Sequence, residues 1–274
     1  MQEEAADKPN VARMYDYFLG GAHNFGIGRR VAEQAVAIYS DLPFVLRANR
    51  SFLRRALTFL TEQGIDQFLD LGSGLPVLGA VHEVAQRINP AARVVYVESD
   101  PIAARHGETL LQAIHGVAML QEDIRHTEQI LLHATVRRLL DFQRPVGVVL
   151  GAVLHLIRDA AEAYGLVREM REAMAPGSYF VISHGTWDHT PPDVAQQVEQ
   201  LYAGSTNPVT SRSHAQIVRF FAGLDLVPPG VVFLPQWQPE NADERFAEQP
   251  ERAAIYAGVG RKTASAVVVT GDST

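Results

Sequence analysis

Phe68-Leu69-Asp70-Leu71-Gly72-Ser73-Gly74-Leu75-Pro76 decides the fold. A short apolar run that carries an acid and then breaks into closely spaced glycines reads as a buried strand, a tight turn and a following helix. Two later runs repeat the arrangement. Val94-Val95-Tyr96-Val97 ends in Glu98, 28 residues after Asp70, and Glu122-Asp123-Ile124 places Asp123 a further 25 residues on. That spacing suits successive strand-helix units, each with a carboxylate at the carboxyl end of its strand, where open α/β sheets hold ligands.

Outward from this stretch, short apolar runs alternate with helical spacing. Strands are expected at 67–71, 93–98, 117–121, 146–151, 178–184, 226–234 and 254–260, with helices near 78–88, 101–113, 126–141, 160–175, 192–203 and 213–223. The pattern predicts an α/β fold, a Rossmann-like seven-stranded, mostly parallel sheet with helices on both faces. Between Leu234 and Ile255 no helix is evident, and Pro235, Pro239 and Pro250 interrupt the chain. The last strand is therefore expected to run antiparallel. Before the sheet, residues 29–40 and 46–63 show helical spacing, the second with Phe52, Ala56, Phe59 and Leu60 on one face and Arg50, Arg54 and Arg55 on a solvated one. Residues 1–64 thus read as a disordered tail and helical cap or lid, and residues 65–274 as the core, in one integrated domain.

Composition excludes several chemistries. The chain has 274 residues, 47% of them hydrophobic, enough for a sizeable core. Its 24 Lys and Arg against 31 Asp and Glu give a net charge of -7, which argues against nucleic acid as a partner. With no cysteine, disulfides, thiolate catalysis and zinc-thiolate sites are ruled out. His82-Glu83 is not a zinc motif, because position 86 is Gln86, so no metal is expected. The acidic start and the lack of any apolar run near the roughly 20 residues of a membrane span predict a cytoplasmic protein that does not engage the membrane.

The Gly72-x-Gly74 turn permits close approach of a ligand to the backbone. Position 77 of a dinucleotide fingerprint calls for a third small residue, and here it is Val77 after Pro76. This weakens an NAD-dependent oxidoreductase reading without removing it. No Gly-Lys-Ser/Thr follows, so a P-loop is excluded. A cofactor with ribose and adenine and little need for pyrophosphate binding remains.

These motifs resemble the class I S-adenosylmethionine-dependent methyltransferases. Val11-Ala12-Arg13-Met14-Tyr15-Asp16-Tyr17-Phe18-Leu19-Gly20-Gly21-x-x-Asn24-Phe25, Arg47-Ala48-Asn49-Arg50 and Ala175-Pro176-Gly177-Ser178-Tyr179-Phe180 further resemble an actinobacterial S-adenosyl methyltransferase family, formerly a domain of unknown function. The resemblance implies S-adenosyl-L-methionine as cofactor and S-adenosyl-L-homocysteine as product. It implies that Glu98, with Ser99 beside it, takes the ribose hydroxyls, and that Asp123 accepts from the adenine amino group while Ile124 covers the purine face. Gly72, Ser73 and Gly74 would lie along the methionine portion, with Asp70 bracing the turn or meeting the amino group. Gly151 and Ala152 would approach from the other side, and Tyr15, Tyr17 and Asn24 would belong to a lid.

His155 and His184, at the ends of the fourth and fifth strands, are candidate general bases near neutral pH. The expected reaction is methyl transfer to a small molecule. A non-catalytic sensor or interaction module binding the same cofactor is the alternative, since fold does not establish turnover.

Overall fold

Apolar strands buried along their whole length can be satisfied only inside a sheet covered on both faces, and such a sheet forms the centre of the computed structural model. The structure describes residues 14, 17–18, 27–76, 79–205, 208–240 and 246–264. Five parallel strands come first: β1 (Gln67–Leu71), β2 (Arg93–Glu98), β3 (Val117–Gln121), β4 (Gly147–Gly151) and β5 (Tyr179–Gly185). They are followed by β6 (Asp225–Leu226), β7 (Val232–Phe233) and β8 (Ile255–Arg261). The sheet order is β3-β2-β1-β4-β5-β8-β6, with β7 also paired to β8. Because the chain moves outward in one direction from β1 to β3 and then returns to place β4 on the other side, the switch point lies between β1 and β4. A crevice opens there at the carboxyl ends of the strands.

The last strand is antiparallel, as expected, with β8 running against β5 along its length. The sheet holds eight strands rather than seven, because the strand expected at 226–234 is two short pieces that flank Pro228, Pro229 and Gly230. Proline has no amide to donate to a ladder, so pairing stops there and resumes at Val232.

Helices cover both faces. α1 (Ile27–Ile38) and α2 (Leu42–Glu62) precede the sheet. α3 (Val81–Ile88), α4 (Pro101–Leu111), α5 (Thr127–Leu132), α6 (Ala134–Leu139) and α7 (Ala160–Ala173) connect the parallel strands, and α8 (Pro192–Tyr202) and α9 (His214–Val218) follow β5. The single helix expected over 126–141 is broken at His133. Its backbone is extended and its Nδ1 accepts the Thr135 amide, so the side chain caps α6 and ends the helix before it.

The strand period sorts the core into two layers. Leu69, Leu71, Val95, Val97, Val148 and Leu150 face α5, α6 and α7, whereas Phe68, Val94, Tyr96 and Val149 face α2 and α3. Asp70 stands between Leu69 and Leu71 and therefore faces α2. A satellite cluster joins Met14, Phe18, Ala32, Ala35 and Leu46 to Val198 and Tyr202 of α8, so the N-terminal cap rests on α8.

Arg55 departs from the expected solvated face, whereas Arg54 keeps to it. Arg54 makes a bidentate pair with Glu240 at 2.8 and 2.6 Å. Arg55 is buried and donates to the carbonyls of Trp237 at 2.9 Å and Leu234 at 2.7 Å, tying α2 to the segment after β7. Among the described residues no helix is long and apolar enough to cross a membrane.

Candidate active site

At the end of β1 the chain turns through Gly72 and Gly74, both with positive φ, at 71° and 62°. The amides of Gly72 and Ser73 donate to the Val97 carbonyl at 2.9 and 3.1 Å, which fastens the turn to the end of β2. A side chain at position 72 is excluded as well as strained, since a Cβ there would lie 2.2 Å from Cγ2 of Val153. The glycine thus lets the loop after β4 close against the turn.

Glu98 is buried, 6% exposed, and joins the turn to the next helix. Its Oε2 accepts the Gly74 amide at 2.8 Å and its Oε1 the Asp100 amide at 2.8 Å. Asp100 in turn caps α4 through the amides of Ile102 and Ala103, and Pro101 opens that helix. Burial raises the Glu98 carboxyl above its ordinary value, while the amide bonds from Asp100 and Gly74 pull against the rise. Each oxygen keeps a second lone pair, so the carboxylate can still receive two donors. Ser99 follows on the exposed side of the crevice.

Asp70 lies one position before the strand ends and is paired in register with Tyr96. Burial pushes its carboxyl up to about 7, opposed by the Arg50 guanidinium and helped by Glu98. The Tyr96 hydroxyl beside it receives the His82 amide at 2.9 Å and lies 2.7 Å from His82 Nδ1. Asp123, beyond β3, accepts from the Arg125 amide at 3.0 Å and is gripped by its guanidinium at 2.5 Å, which holds the acid below the usual carboxylate range. Ile124 is buried in the core under it.

The other side of the crevice is built from the ends of β4 and β5. Gly151 passes close to α2, where a Cβ would be 3.0 Å from Leu53 Cδ1. Ala152 takes φ of 56° and donates its amide to Ser183 Oγ at 2.9 Å, so the strand end is held in a strained conformation. Beyond it opens a cavity of about 100 Å³. Its floor is Ala152, His155 and Gly185, its roof is Phe18, Tyr39, Leu42 and Leu46 of the cap, and its walls include Trp187, Val198, Tyr202 and Ser211.

The two candidate bases divide. His155 lines the cavity, with Nδ1 3.4 Å from the Gly185 amide, and burial, with Arg212 adding to it, lowers the ring to about 4. It is therefore neutral at pH 7 and a weaker proton acceptor than an ordinary histidine. His184 does not line the cavity. Its Nδ1 lies 2.7 Å from the Gly185 carbonyl and its Nε2 2.9 Å from Arg212 Nη1. The guanidinium can only donate, so Nε2 accepts and Nδ1 carries the proton. Both nitrogens are engaged and the ring is neutral, its pKa lowered well below the usual value by burial first and by His155 next.

The sequence marks Arg212 only as the end of a loop above the sheet and gives no sign of its bonds. Arg212 is buried and also donates to the carbonyls of Leu154 at 3.0 Å and Ile157 at 2.9 Å. No local pattern announces a bond between residues separated by more than fifty positions; a lone arginine before the Ser213 capping box is the only hint. Of the expected lid, Tyr17 is half-buried and sits edge-on to Phe18, with Arg29 over its ring at 5.7 Å. Tyr15 and Asn24 lie outside the described residues.

A parallel sheet with a glycine turn and carboxylates at successive strand ends defines an α/β protein of the nucleoside-cofactor class. The family model for S-adenosyl methyltransferases matches residues 2–263, and the chain belongs to that family. Its activity is methyl transfer from S-adenosylmethionine. Two solved structures are similar along nearly their whole length. One is a candidate methyltransferase of Thermobifida fusca YX, 38% identical, covering 94% of this chain and 96% of that one at a TM-score of 0.87. The other is a DUF574-family protein of Streptomyces avermitilis MA-4680, 35% identical, covering 93% of this chain and 98% of that one at 0.88. No curated protein matches the sequence significantly.

Proposed function

We propose that the protein methylates a small molecule seated in the cavity between the helical cap and the ends of β4 and β5, with the cofactor lying across the glycine turn. The observation that carries this reading is the contact of Val153 with Gly72. The loop that floors the cavity lies directly against the Gly72 turn, which supports a cofactor on that turn facing an acceptor in the cavity.

The donor set fits the cofactor. Glu98 has lone pairs left for two ribose hydroxyls, Asp123 would receive the adenine amino group in place of the half-exposed Arg125 guanidinium that now holds it, and Ile124 lies under the purine. Gly72, Ser73 and Gly74 flank the methionine portion, with Asp70 and Arg50 behind them, Ser99 at the rim, and Gly151 and Ala152 opposite. S-adenosylmethionine supplies a methyl on a sulfonium: the S–C bond breaks with its electron pair kept by sulfur, as the acceptor's lone pair forms the new bond to carbon.

The remaining work falls to the protein. Holding the acceptor in line with the methyl supplies on the order of 7–11 kcal/mol of barrier reduction. His155 orients the nucleophile by a hydrogen bond, and the acceptor's proton leaves to solvent, since a ring near 4 is a poor store for it. His184 holds the floor of the cavity in place. Residues 1–64 act as the cap, with Tyr15, Tyr17 and Asn24 in its lid, over a core of residues 65–274, and the protein works in the cytoplasm on a free metabolite rather than on nucleic acid or membrane.

The test is turnover: S-adenosylmethionine incubated with the protein and a panel of small acceptors, read by chromatography for S-adenosylhomocysteine. Acceptor-dependent product that disappears in Glu98→Ala supports the reading. Tight binding of S-adenosylmethionine with no product across the panel favours the binding module.

A further inference from the structure

The cavity differs from the cofactor crevice in the charge of its lining. Among the described residues no Asp, Glu, Lys or Arg lines it. Its polar atoms are few and largely committed. The Tyr39 hydroxyl donates to the Arg252 carbonyl at 2.6 Å, and the indole N–H of Trp187 donates to Glu199 at 2.8 Å. Ser211 Oγ accepts the Trp187 amide at 2.9 Å, which leaves its own hydroxyl hydrogen to give. Tyr202, whose hydroxyl burial keeps un-ionised, and the uncharged ring of His155 complete the set. The buried cation Arg212 is turned to two carbonyls and His184 and is not among the residues that line the cavity.

An ion brought into such a space gives up its water and gains no partner, whereas an uncharged ring gains apolar contact from the cap and from α8. Size gives a scale. An engineered apolar cavity of about 150 Å³ binds benzene, and this one, at about 100 Å³ and open on one side, has room for about one ring or a short branched chain.

We infer that the methyl acceptor is an uncharged, mainly apolar molecule about one ring in size, whose single polar atom is held between His155 and Ser211; the inference rests on the methyl-transfer reading above. Its nucleophile is an atom that is already neutral near pH 7, such as a phenolic oxygen or an aromatic amine. Aliphatic amines, which carry a proton at that pH, and carboxylates are excluded by lack of a counter-charge.

Fluorine NMR on the full chain tests this, using 4-fluorophenol, 4-fluorobenzoate and 4-fluorobenzylammonium near neutral pH, with and without S-adenosylhomocysteine. The phenol is expected to broaden and to bind at least about tenfold more tightly than either ion. Equal binding of an ion, or no binding of the phenol by protein that binds S-adenosylhomocysteine, overturns the inference. Failure to bind S-adenosylhomocysteine, read by calorimetry on the same sample, overturns the cofactor reading instead.

Val209→Trp, which fills the cavity from a half-buried loop position, locates the site. It is expected to abolish the phenol's broadening while S-adenosylhomocysteine still binds, and persistence of the broadening places the guest elsewhere and overturns the inference. Should that variant not fold, Ser211→Ala serves the same end: a severalfold loss of phenol affinity supports the site, and unchanged affinity contradicts it.

Discussion

Along the carboxyl edge of the sheet, the ends of β1, β2 and β3 gather Asp70, Glu98, Glu122 and Asp123, while beyond β4 and β5 stand two neutral histidines, of which His155 lines an apolar cavity. On the first side three of the acids are fitted with backbone amides or a cation: Gly74 and Asp100 for Glu98, Arg125 for Asp123, and the Asp123 amide for Glu122 at 2.9 Å. On the second side the buried Arg212 is turned away into carbonyls and His184. The difference teaches that the edge is divided by chemistry as well as topology. A polar, charged cofactor suits one half and an uncharged acceptor the other, with Gly72 against Val153 as the seam.

The largest effect is expected on the neutral side. Arg212→Met leaves the carbonyls of Leu154 and Ile157 and the Nε2 of His184 without their donor, and each buried acceptor so abandoned costs about 1–3 kcal/mol. Urea unfolding should show a loss of roughly 3 kcal/mol or more; an unchanged midpoint would mean that the floor of the cavity does not depend on Arg212. At the seam, Gly72→Ala forces a Cβ onto Val153 and keeps a positive φ, for an expected loss of about 2–4 kcal/mol in the same assay.

On the charged side, Glu98→Ala should weaken S-adenosylhomocysteine binding by about 1.5–3 kcal/mol, on the order of 10- to 100-fold, as read by calorimetry. A smaller effect belongs to Asp70. Its unfolded carboxyl releases a proton near pH 4 and the folded one near 7, so between those values the folded state binds more protons and stability falls as pH rises. Asp70→Asn should abolish this decline. The gap between variant and wild type in urea unfolding is expected to move by on the order of 1–2 kcal/mol in the variant's favour from pH 5 to pH 7. His155 and His184 titrate in the opposite sense, losing stability below about pH 6.5, but both proteins share them. A constant gap would show that Asp70 is ionised throughout.

The charged half was the legible half. Asp70, the Gly72–Gly74 turn, Glu98 and Asp123 are local signals, because each sits where a short apolar run meets a turn, and the parallel strands fall within a residue of their expected bounds. The neutral half depends on contacts between distant segments, which periodicity does not record. Arg55 looks like one more solvated cation on α2 until its carbonyl partners, about 180 residues away, are in place. His184 looks like a base until Arg212 occupies its second nitrogen. The break at His133 and the stop at Pro228 and Pro229 were missed for a different reason: in each, a local backbone event outweighed a favourable side-chain pattern.

The most direct measurement is a crystal structure of the protein with S-adenosylhomocysteine. The account predicts ribose hydroxyls on Glu98, adenine beside Asp123 and Ile124, and the sulfur facing the cavity past Ala152 toward His155. Adenosine seated in the apolar cavity, or a sulfur turned away from it, would contradict the division of the edge into a cofactor half and an acceptor half.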